Sequence, residues 1–165
     1  MDTITKEQRS RTMSRIRSCN TKPEMLVRRF LYSNGFRYRV NVKSLPGSPD
    51  IVLKKYKTVI FIHGCFWHSH ECLKGKIPQT NVEFWQQKLA RNKERDLAVR
   101  EELRLSGWKT MVVWECQLKP KVRQQTLQEI AFLLNKANLV ELHRKYQVSE
   151  EPLRVAAEEI PKYGK

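Results

Sequence analysis

Residues 50–72, "DIVLKKYKTVIFIHGCFWHSHEC", contain two β-branched runs separated by a polar turn at residues 54–57. This pattern predicts a β-hairpin. Directly after it, residues 61–72 hold three histidines, two cysteines and the adjacent aromatic pair Phe66 and Trp67. A solvated loop does not need imidazole, thiol and indole groups at such density, and an apolar core needs them even less. The segment therefore predicts a functional site at the end of the hairpin.

The flanking segments predict helices and further strands around this hairpin. A helix is expected from residue 20 to 34, capped by Asn20 or Thr21, with Arg28 and Arg29 facing outward. The alternating residues 36–40, "FRYRV", predict a strand, and residues 109–116, "KTMVVWEC", a largely buried one. Two more helices are expected at residues 81–106 and 123–136. The order α-β-β-β-α-β-α predicts an α/β fold, a mixed β-sheet flanked by helices.

The chain of 165 residues fits one domain with two appended segments. Residues 1–19 form a basic N-terminal arm, either a short helix or a segment that orders on its partner. Residues 20–136 form the main domain, and residues 137–165 a charged C-terminal tail.

The net charge of +15, from 32 Lys and Arg against 17 Asp and Glu, indicates a polyanionic partner. Nucleic acid fits this charge better than an anionic membrane, because no basic stretch carries the aromatic and Leu face that membrane binding needs. The first residues lack the apolar core of a signal peptide. We therefore expect a cytoplasmic protein with reduced cysteines, available for a metal.

Four residues have the chemistry of a structural zinc site: Cys65, His70, Cys72 and Cys116. A closed tetrahedral site would fix the shape of residues 64–76, which have little aliphatic content. The alternative is that the thiols are small core groups without a metal. Cys19 lies in the basic arm and is the one expected to be inert.

The long helix has polar residues on its apolar stripe. Asn92 and Asp96 share one face with Trp85, Leu89, Val99 and Leu103. A polar group there needs a partner. Either the pair makes ordinary structural hydrogen bonds, or Asp96 reaches a histidine of residues 63–70 and prepares it for general-base chemistry.

Asp50 stands at the mouth of the hairpin after Pro49. A carboxylate at one strand end, beside a backbone carbonyl of the returning strand, is a hard-oxygen site suited to Mg²⁺. The alternative is that Pro49 and Asp50 are only a turn.

Four blocks resemble the very short patch repair (Vsr) endonuclease family: "SLPGSPD", "VIFIHGCFWHSHEC", "FWQQKLARNKERD" and "GWKTMVVWEC". The resemblance implies a restriction-endonuclease-like fold of the PD-(D/E)xK class, with its second acidic-lysine element replaced. Residues 20–136 are then the endonuclease domain. It further implies nicking of duplex DNA 5′ of the thymine in T:G mismatches, which arise when 5-methylcytosine deaminates.

The resemblance also implies residue roles. Asp50 resembles the Mg²⁺ carboxylate, and Ile62, where many members have Thr, gives its backbone carbonyl to the same ion. His68 resembles the general base, oriented by Asp96. His63 assists at the scissile phosphate or leaving oxygen, and Glu24 is a supporting acid. The four predicted zinc ligands match the family's zinc set.

Phe66, Trp67 and Trp85 resemble an aromatic wedge that enters the base stack beside the mismatch. Core packing is the alternative for each ring.

Three functions remain open from the sequence: mismatch nicking, restriction-type nicking without a mismatch, and a zinc-stabilised DNA-binding module without catalysis. The family resemblance implies double-stranded T:G DNA as substrate, mismatch-repair proteins and a cognate cytosine methyltransferase system as partners, no membrane, a monomer, and a bacterial nucleoid-associated location.

Overall fold

The structure is a computed structural model that describes residues 5–15 and 19–146. The described residues form four α-helices: α1 Lys6–Ser14, α2 Lys22–Ser33, α3 Val82–Leu105 and α4 Arg123–Tyr146. Three strands are present: β1 Ile51–Leu53, β2 Thr58–His63 and β3 Lys109–Trp114. The described part of the chain is therefore a mixed α/β fold, as the sequence predicts.

The strands form one mixed sheet in the order β1-β2-β3. β1 and β2 are an antiparallel hairpin in which Ile51 faces Ile60. A 3₁₀ turn at Lys54–Tyr56 and a left-handed Lys57, with φ of 47°, reverse the chain between them. β3 pairs with β2 in parallel, so the connection must cross over the sheet, and α3 provides that crossover. The predicted hairpin is confirmed.

The prediction of a strand at residues 36–40 is wrong. Within this segment only Arg39 pairs with the sheet, through an isolated antiparallel bridge to Val52. Phe36 is buried, but Val40 is 43% exposed, so the alternation does not continue to the end of the segment. Asn41 then adopts φ of 47°, a left-handed conformation that ends extended structure. Three strands, not four, make the sheet of the described residues.

Helix α2 begins as the sequence predicts but presents one side chain differently. Thr21 is the N-cap, and its side chain and that of Glu24 form a reciprocal capping box. Arg28, expected to face outward, is 5% exposed, whereas Arg29 is exposed. The prediction for Arg28 is wrong because the spacing of apolar residues gives no information about ion pairs. Glu24, one turn earlier on the helix, is the charged partner of Arg28.

Helix α3 confirms the predicted stripe. Leu89 and Leu103 are its buried residues. The half-buried residues lie between and before them on the same face: Trp85, Asn92, Asp96 and Val99. Gly107, with φ of 76°, follows the end of the helix, as expected.

Two element boundaries and the burial of one strand differ from the sequence prediction. β3 ends at Trp114, so Cys116 lies in the 3₁₀ turn Glu115–Leu118 and not in the strand. β3 is mostly half-buried. α4 continues to Tyr146, ten residues beyond its predicted end at 136. The N-terminal segment contains a short helix, α1, whereas residues 1–4, 16–18 and 147–165 lie outside the described residues.

Helices cover both faces of the sheet. On one face, Ile51, Leu53 and Ile60 pack with residues of α2 and α4. On the other face, Val52 and Val59 pack with Leu103 of α3. Because side chains alternate along a strand, His63 of β2 projects to the α3 face, like Phe61 and Val59. The part of the chain that the structure describes contains no helix long and apolar enough to cross a membrane.

Candidate active site

A cleft of about 1100 Å³ opens between the start of α2, the mouth of the β1-β2 hairpin and the polar face of α3. All five residues with an expected catalytic role line it: Glu24, Asp50, His63, His68 and Asp96. The fold therefore brings together residues that are up to 72 positions apart, Glu24 and Asp96, in one cavity.

His68 and Asp96 form the central contact of this cleft. The Nδ1 atom of His68 is hydrogen-bonded to the carboxylate of Asp96, and both side chains are mostly buried. One turn earlier on α3, the Asn92 amide donates to the backbone carbonyl of Trp67 over 2.9 Å. Both polar residues of the α3 stripe thus hold the loop after β2, and their partners remove the cost of burying them.

His63 lies against the face of His68. The ring centroids are 3.6 Å apart and the planes differ by 10°. Burial, followed by the neighbouring His68, lowers the pKa of His63 to about 4, so its ring is neutral at pH 7. Imidazole lone pairs lie in the ring plane. Two parallel stacked rings cannot both direct a lone pair at one ion, so this pair is unsuited to hold a metal between its nitrogens.

Asp50 is fixed by the neighbouring strand. The backbone N–H of Ile62 donates to Asp50 Oδ2 over 2.7 Å. The N–H and C=O of one strand residue point to the same side, so the Ile62 carbonyl also faces Asp50. Burial raises the pKa of Asp50 above its usual value of 3.8. Its Oδ1 accepts no hydrogen bond from the residues that the structure describes, so an oxygen of a desolvated carboxylate is available in the cleft.

Glu24 enters the cleft from the first turn of α2 and is 3% exposed. Its carboxylate accepts hydrogen bonds from the hydroxyl of Thr21 and the backbone N–H of Asn20, at 2.8 and 2.9 Å. Arg28 completes the set with a 2.9 Å ion pair. Asn20 and Arg28 are site residues that no motif in the sequence indicates. The i, i+4 spacing of Glu24 and Arg28 was the signal that could have found the ion pair.

A second group of ligand-type side chains lies beside the cleft. The nitrogen and sulfur ligand atoms of all four lie within 4.8 Å of one another: Cys65, His70, Cys72 and Cys116. Tetrahedral zinc with sulfur bonds of about 2.3 Å requires sulfur atoms about 3.8 Å apart, so this donor set fits such an ion. Cys19 is exposed and outside this group, though it lines the cleft.

Two thiols of this group differ in their tendency to ionise. Burial raises the pKa of Cys65 to about 12. The hydrogen bond from His70 lowers the pKa of Cys72 to about 6. A buried thiol with a raised pKa loses its proton at neutral pH only when a strong cation binds the sulfur. Zinc is such a cation.

Phe66, Trp67 and Trp85 form one aromatic cluster at the edge of the cleft. The Phe66 ring is 5.1 Å from Trp67 and 5.0 Å from Trp85, both edge-to-face. All three rings are half-buried. Phe84 extends the cluster with a ring 56% exposed, and the sequence analysis missed it. The Lys88 ammonium lies 5.5 Å from the Trp67 ring centroid. The rings are therefore packed on one another and partly accessible.

Residues 1–74 match the profile of the family described as DNA mismatch endonuclease Vsr. The chain is 56% identical over 120 residues to Type II nicking enzyme V.NmeAIP of Neisseria meningitidis serogroup A, covering 73% of this chain and 86% of the relative. It is 42% identical over 118 residues to DNA mismatch endonuclease Vsr of Escherichia coli, covering 72% and 76%. A third relative, Type II nicking enzyme V.XorIIP of Xanthomonas oryzae, is 43% identical over 117 residues, covering 71% and 86%.

The chain belongs to the Vsr family. The resemblance found in the four sequence blocks is thereby confirmed, and membership places the chain among the DNA endonucleases of repair.

The Vsr cleft also has three cationic side chains among its acidic ones. Lys43, Arg95 and Arg100 line it. The Nε atom of Arg100 donates to the backbone carbonyl of Asp96 over 3.3 Å, and an Arg95 nitrogen lies 3.8 Å from the Asp96 carboxylate. These side chains are of the type that contacts the phosphates of a DNA backbone.

Proposed function

We propose that the chain is a Mg²⁺-dependent mismatch endonuclease that nicks duplex DNA 5′ of the thymine in T:G mismatches, on a restriction-endonuclease-like fold. The observation that carries this proposal is one cleft that combines an Asp50 carboxylate, a His68–Asp96 pair and an aromatic cluster at its edge. The Escherichia coli relative with 42% identity is named a mismatch endonuclease.

His68 is proposed as the general base. Asp96 accepts a hydrogen bond from the Nδ1–H of His68, which leaves the lone pair of Nε2 free to take a proton from the attacking water. This division of the two ring nitrogens follows from the carboxylate partner, because a carboxylate only accepts hydrogen bonds.

His63 acts in its neutral form. Its lowered pKa means that it carries no proton to donate as an imidazolium at pH 7. A neutral ring in contact with His68 also avoids charge repulsion when His68 takes a proton from water. We assign His63 the role of a neutral hydrogen-bond partner to the scissile phosphate or the leaving oxygen.

Asp50 and the Ile62 carbonyl would hold Mg²⁺. The free Oδ1, the neighbouring carbonyl and the desolvated carboxylate are the hard-oxygen donors that this ion prefers. When bound, Mg²⁺ supplies Lewis-acid stabilisation of charge at the phosphodiester. Ile62 contributes no hydroxyl, so only its backbone serves the site. Glu24 supports it from α2, held in place by Arg28.

Zinc at Cys65, His70, Cys72 and Cys116 would have a structural role. The site joins the loop after β2 to the turn after β3, across the ends of two parallel strands. A salt bridge of 2.8 Å between Lys74 and Glu115 makes the same connection. Fixing this loop also fixes His68, which lies between two of the ligands in sequence.

The rings of Phe66, Trp67 and Trp85 would enter the base stack beside the mismatch. T:G pairing weakens the step, and flat side chains replace the lost stacking. The three rings already lie together at the cleft edge, so their insertion places the scissile phosphate near His68.

Restriction-type nicking without a mismatch is the second candidate. The names of the Neisseria and Xanthomonas relatives, Type II nicking enzymes, favour it. A non-catalytic module is disfavoured, because it has no use for a His68–Asp96 pair beside Asp50. Mismatch-repair partners, a cognate cytosine methyltransferase, a monomeric state, a cytoplasmic nucleoid location and the 20–136 domain division remain predictions.

The test of the catalytic assignment is Asp50→Ala. We expect nicking to be abolished while T:G duplex affinity stays within about twofold, because basic side chains dominate DNA contact. Glu71→Ala, at an exposed carboxylate outside the cleft, is the matched control and should nick normally. Parallel loss of binding and cleavage in Asp50→Ala would mean that Asp50 is structural.

A further inference from the structure

Arg28 is a buried cation that is bonded to Glu24 and Asp50, two residues of the cleft, although it does not itself line the cleft. It is 5% exposed, and its guanidinium makes three hydrogen bonds. Nη1 donates to the side chain of Asn20 over 2.6 Å, and Nη2 donates to Glu24 over 2.9 Å and to the Asp50 backbone carbonyl over 3.2 Å. Its Nε has no partner among the described residues. Capping of α2 alone requires only Thr21 and Glu24, so it does not explain the contact with Asp50.

The hydrogen bond from Arg28 fixes Asp50 through its main chain. The Asp50 carbonyl accepts from Arg28, and its Oδ2 accepts from the N–H of Ile62. Two elements, α2 and β2, therefore hold the residue at opposite ends. These two hydrogen bonds orient Asp50, and with it Oδ1, before any ligand binds.

The same side chain balances charge. Glu24 is 3% exposed, and a buried carboxylate without a partner is strongly unfavourable. Arg28 neutralises it with an i, i+4 ion pair. Without that cation, Glu24 would present an uncompensated negative charge next to Asp50. A guanidinium spreads its donors over a planar fork that reaches separated partners, whereas an ammonium carries all its donors on one nitrogen atom.

We propose that Arg28 is a positioning residue for magnesium: it holds Asp50 and Glu24 in the arrangement that binds the ion. This rests on the proposed role of Asp50 as a Mg²⁺ ligand. Arg28 itself touches neither the ion nor DNA in this scheme. Partners that orient a metal ligand typically change metal affinity 10–100-fold when removed, which sets the size of the expected effect.

The experiment compares Arg28→Lys and Arg28→Met with Arg29→Met in the full-length protein. Arg29 carries the same charge on the next residue of α2 and is exposed, so it is the matched control. Two quantities are measured as a function of Mg²⁺ concentration. The first is the rise in Tm. The second is the single-turnover nicking rate on T:G duplex, at a temperature where each variant is folded. The melting curve without Mg²⁺ reports the structural cost separately.

We expect the Mg²⁺ concentration for half-effect to rise about tenfold or more in Arg28→Met, and by a smaller factor in Arg28→Lys, in both measurements. Saturating Mg²⁺ should recover much of the rate. Arg29→Met should match the wild type. A lower Tm with an unchanged half-effect concentration in the two Arg28 variants would overturn the proposal, because Arg28 would then only stabilise α2.

Asp50→Asn separates this inference from the function on which it rests. If Asp50→Asn abolishes the Mg²⁺ response while both Arg28 variants respond like the wild type, only the positioning role is refuted. If Asp50→Asn responds to Mg²⁺ and nicks like the wild type, the metal assignment itself is wrong, and the positioning role falls with it.

Discussion

The imidazole of His68 is hydrogen-bonded to the carboxylate of Asp96, although 28 residues separate them in the chain. His68 lies in the loop after β2, and Asp96 lies near the middle of α3. The pair therefore exists only if α3 crosses the sheet in the observed register. Asn92, one turn earlier, fixes that register by its bond to the Trp67 carbonyl.

The pair should behave as one catalytic unit. We expect His68→Ala to lower the single-turnover nicking rate by about 10²–10⁴-fold, the usual contribution of a general base. Asp96→Asn should also slow the reaction, because an amide that donates to Nδ1 forces the ring proton onto Nε2. The double variant should be about as slow as His68→Ala alone. Rates are measured at saturating protein on T:G duplex. Multiplicative losses would show that the two side chains act independently.

The zinc assignment predicts one zinc ion per chain. Cys116→Ala should lose the ion and lower the Tm, because zinc binding contributes directly to folding in structural sites. Elemental analysis of protein purified without added zinc, together with melting curves, provides the measurement. Cys19→Ala is the matched control, because Cys19 is exposed and outside the cluster. Metal content near zero in the wild type, or an unchanged Tm in Cys116→Ala, would contradict the assignment.

His63 makes stability depend on pH. Its folded pKa is about 4, below the ordinary 6.5, so between these values the unfolded chain binds more protons than the folded one. The contribution of His63 to the free energy of unfolding is fully present above pH 6.5 and is lost as the pH falls toward 4. Between pH 7 and pH 5 this loss corresponds to about 2 kcal/mol. Denaturant unfolding at both pH values should show a smaller loss in His63→Phe, which keeps a ring against His68. Equal losses in both proteins would refute the assignment.

The aromatic cluster should discriminate mismatched from matched DNA. Stacking contributes roughly 1–3 kcal/mol per base, so Phe66→Ala with Trp67→Ala should weaken binding to T:G duplex far more than to T:A duplex. The salt dependence of binding should not change, because no phosphate contact is lost. Trp108→Ala is the control: Trp108 packs against Val59 and Leu103, so its loss should lower the Tm and affect both duplexes alike. The same pattern in the double variant would assign Phe66 and Trp67 to the core.

The contact between α3 and the loop after β2 can be predicted from the sequence because α3 is long and its apolar residues recur with helical spacing. Asn92 and Asp96 occur at positions where an apolar residue was expected, and such an exception has few physical explanations. The sequence also predicts the hairpin, because the polar residues 54–57 separate two β-branched runs.

Other features depend on contacts that periodicity does not encode. Strict alternation at residues 36–40 predicted a strand, but pairing requires a partner edge, and only Arg39 finds one at Val52. The apolar stripe of α2 predicts an outward-facing Arg28, because Arg28 is not part of that stripe. Its burial follows from Glu24, Asn20 and the Asp50 carbonyl, which meet only in the folded chain. The extension of α4 to Tyr146 likewise lacked a clear apolar stripe.

Mismatch-dependent nicking is the central claim, and one measurement tests it most directly. The full-length protein is incubated with Mg²⁺ and two duplexes from a randomised flanking library, identical except for one T:G or T:A pair. We predict a single nick 5′ of the thymine in T:G duplexes and no cleavage of T:A duplexes with the same flanks. Equal nicking of both duplexes would contradict the account and establish sequence-specific nicking without a mismatch.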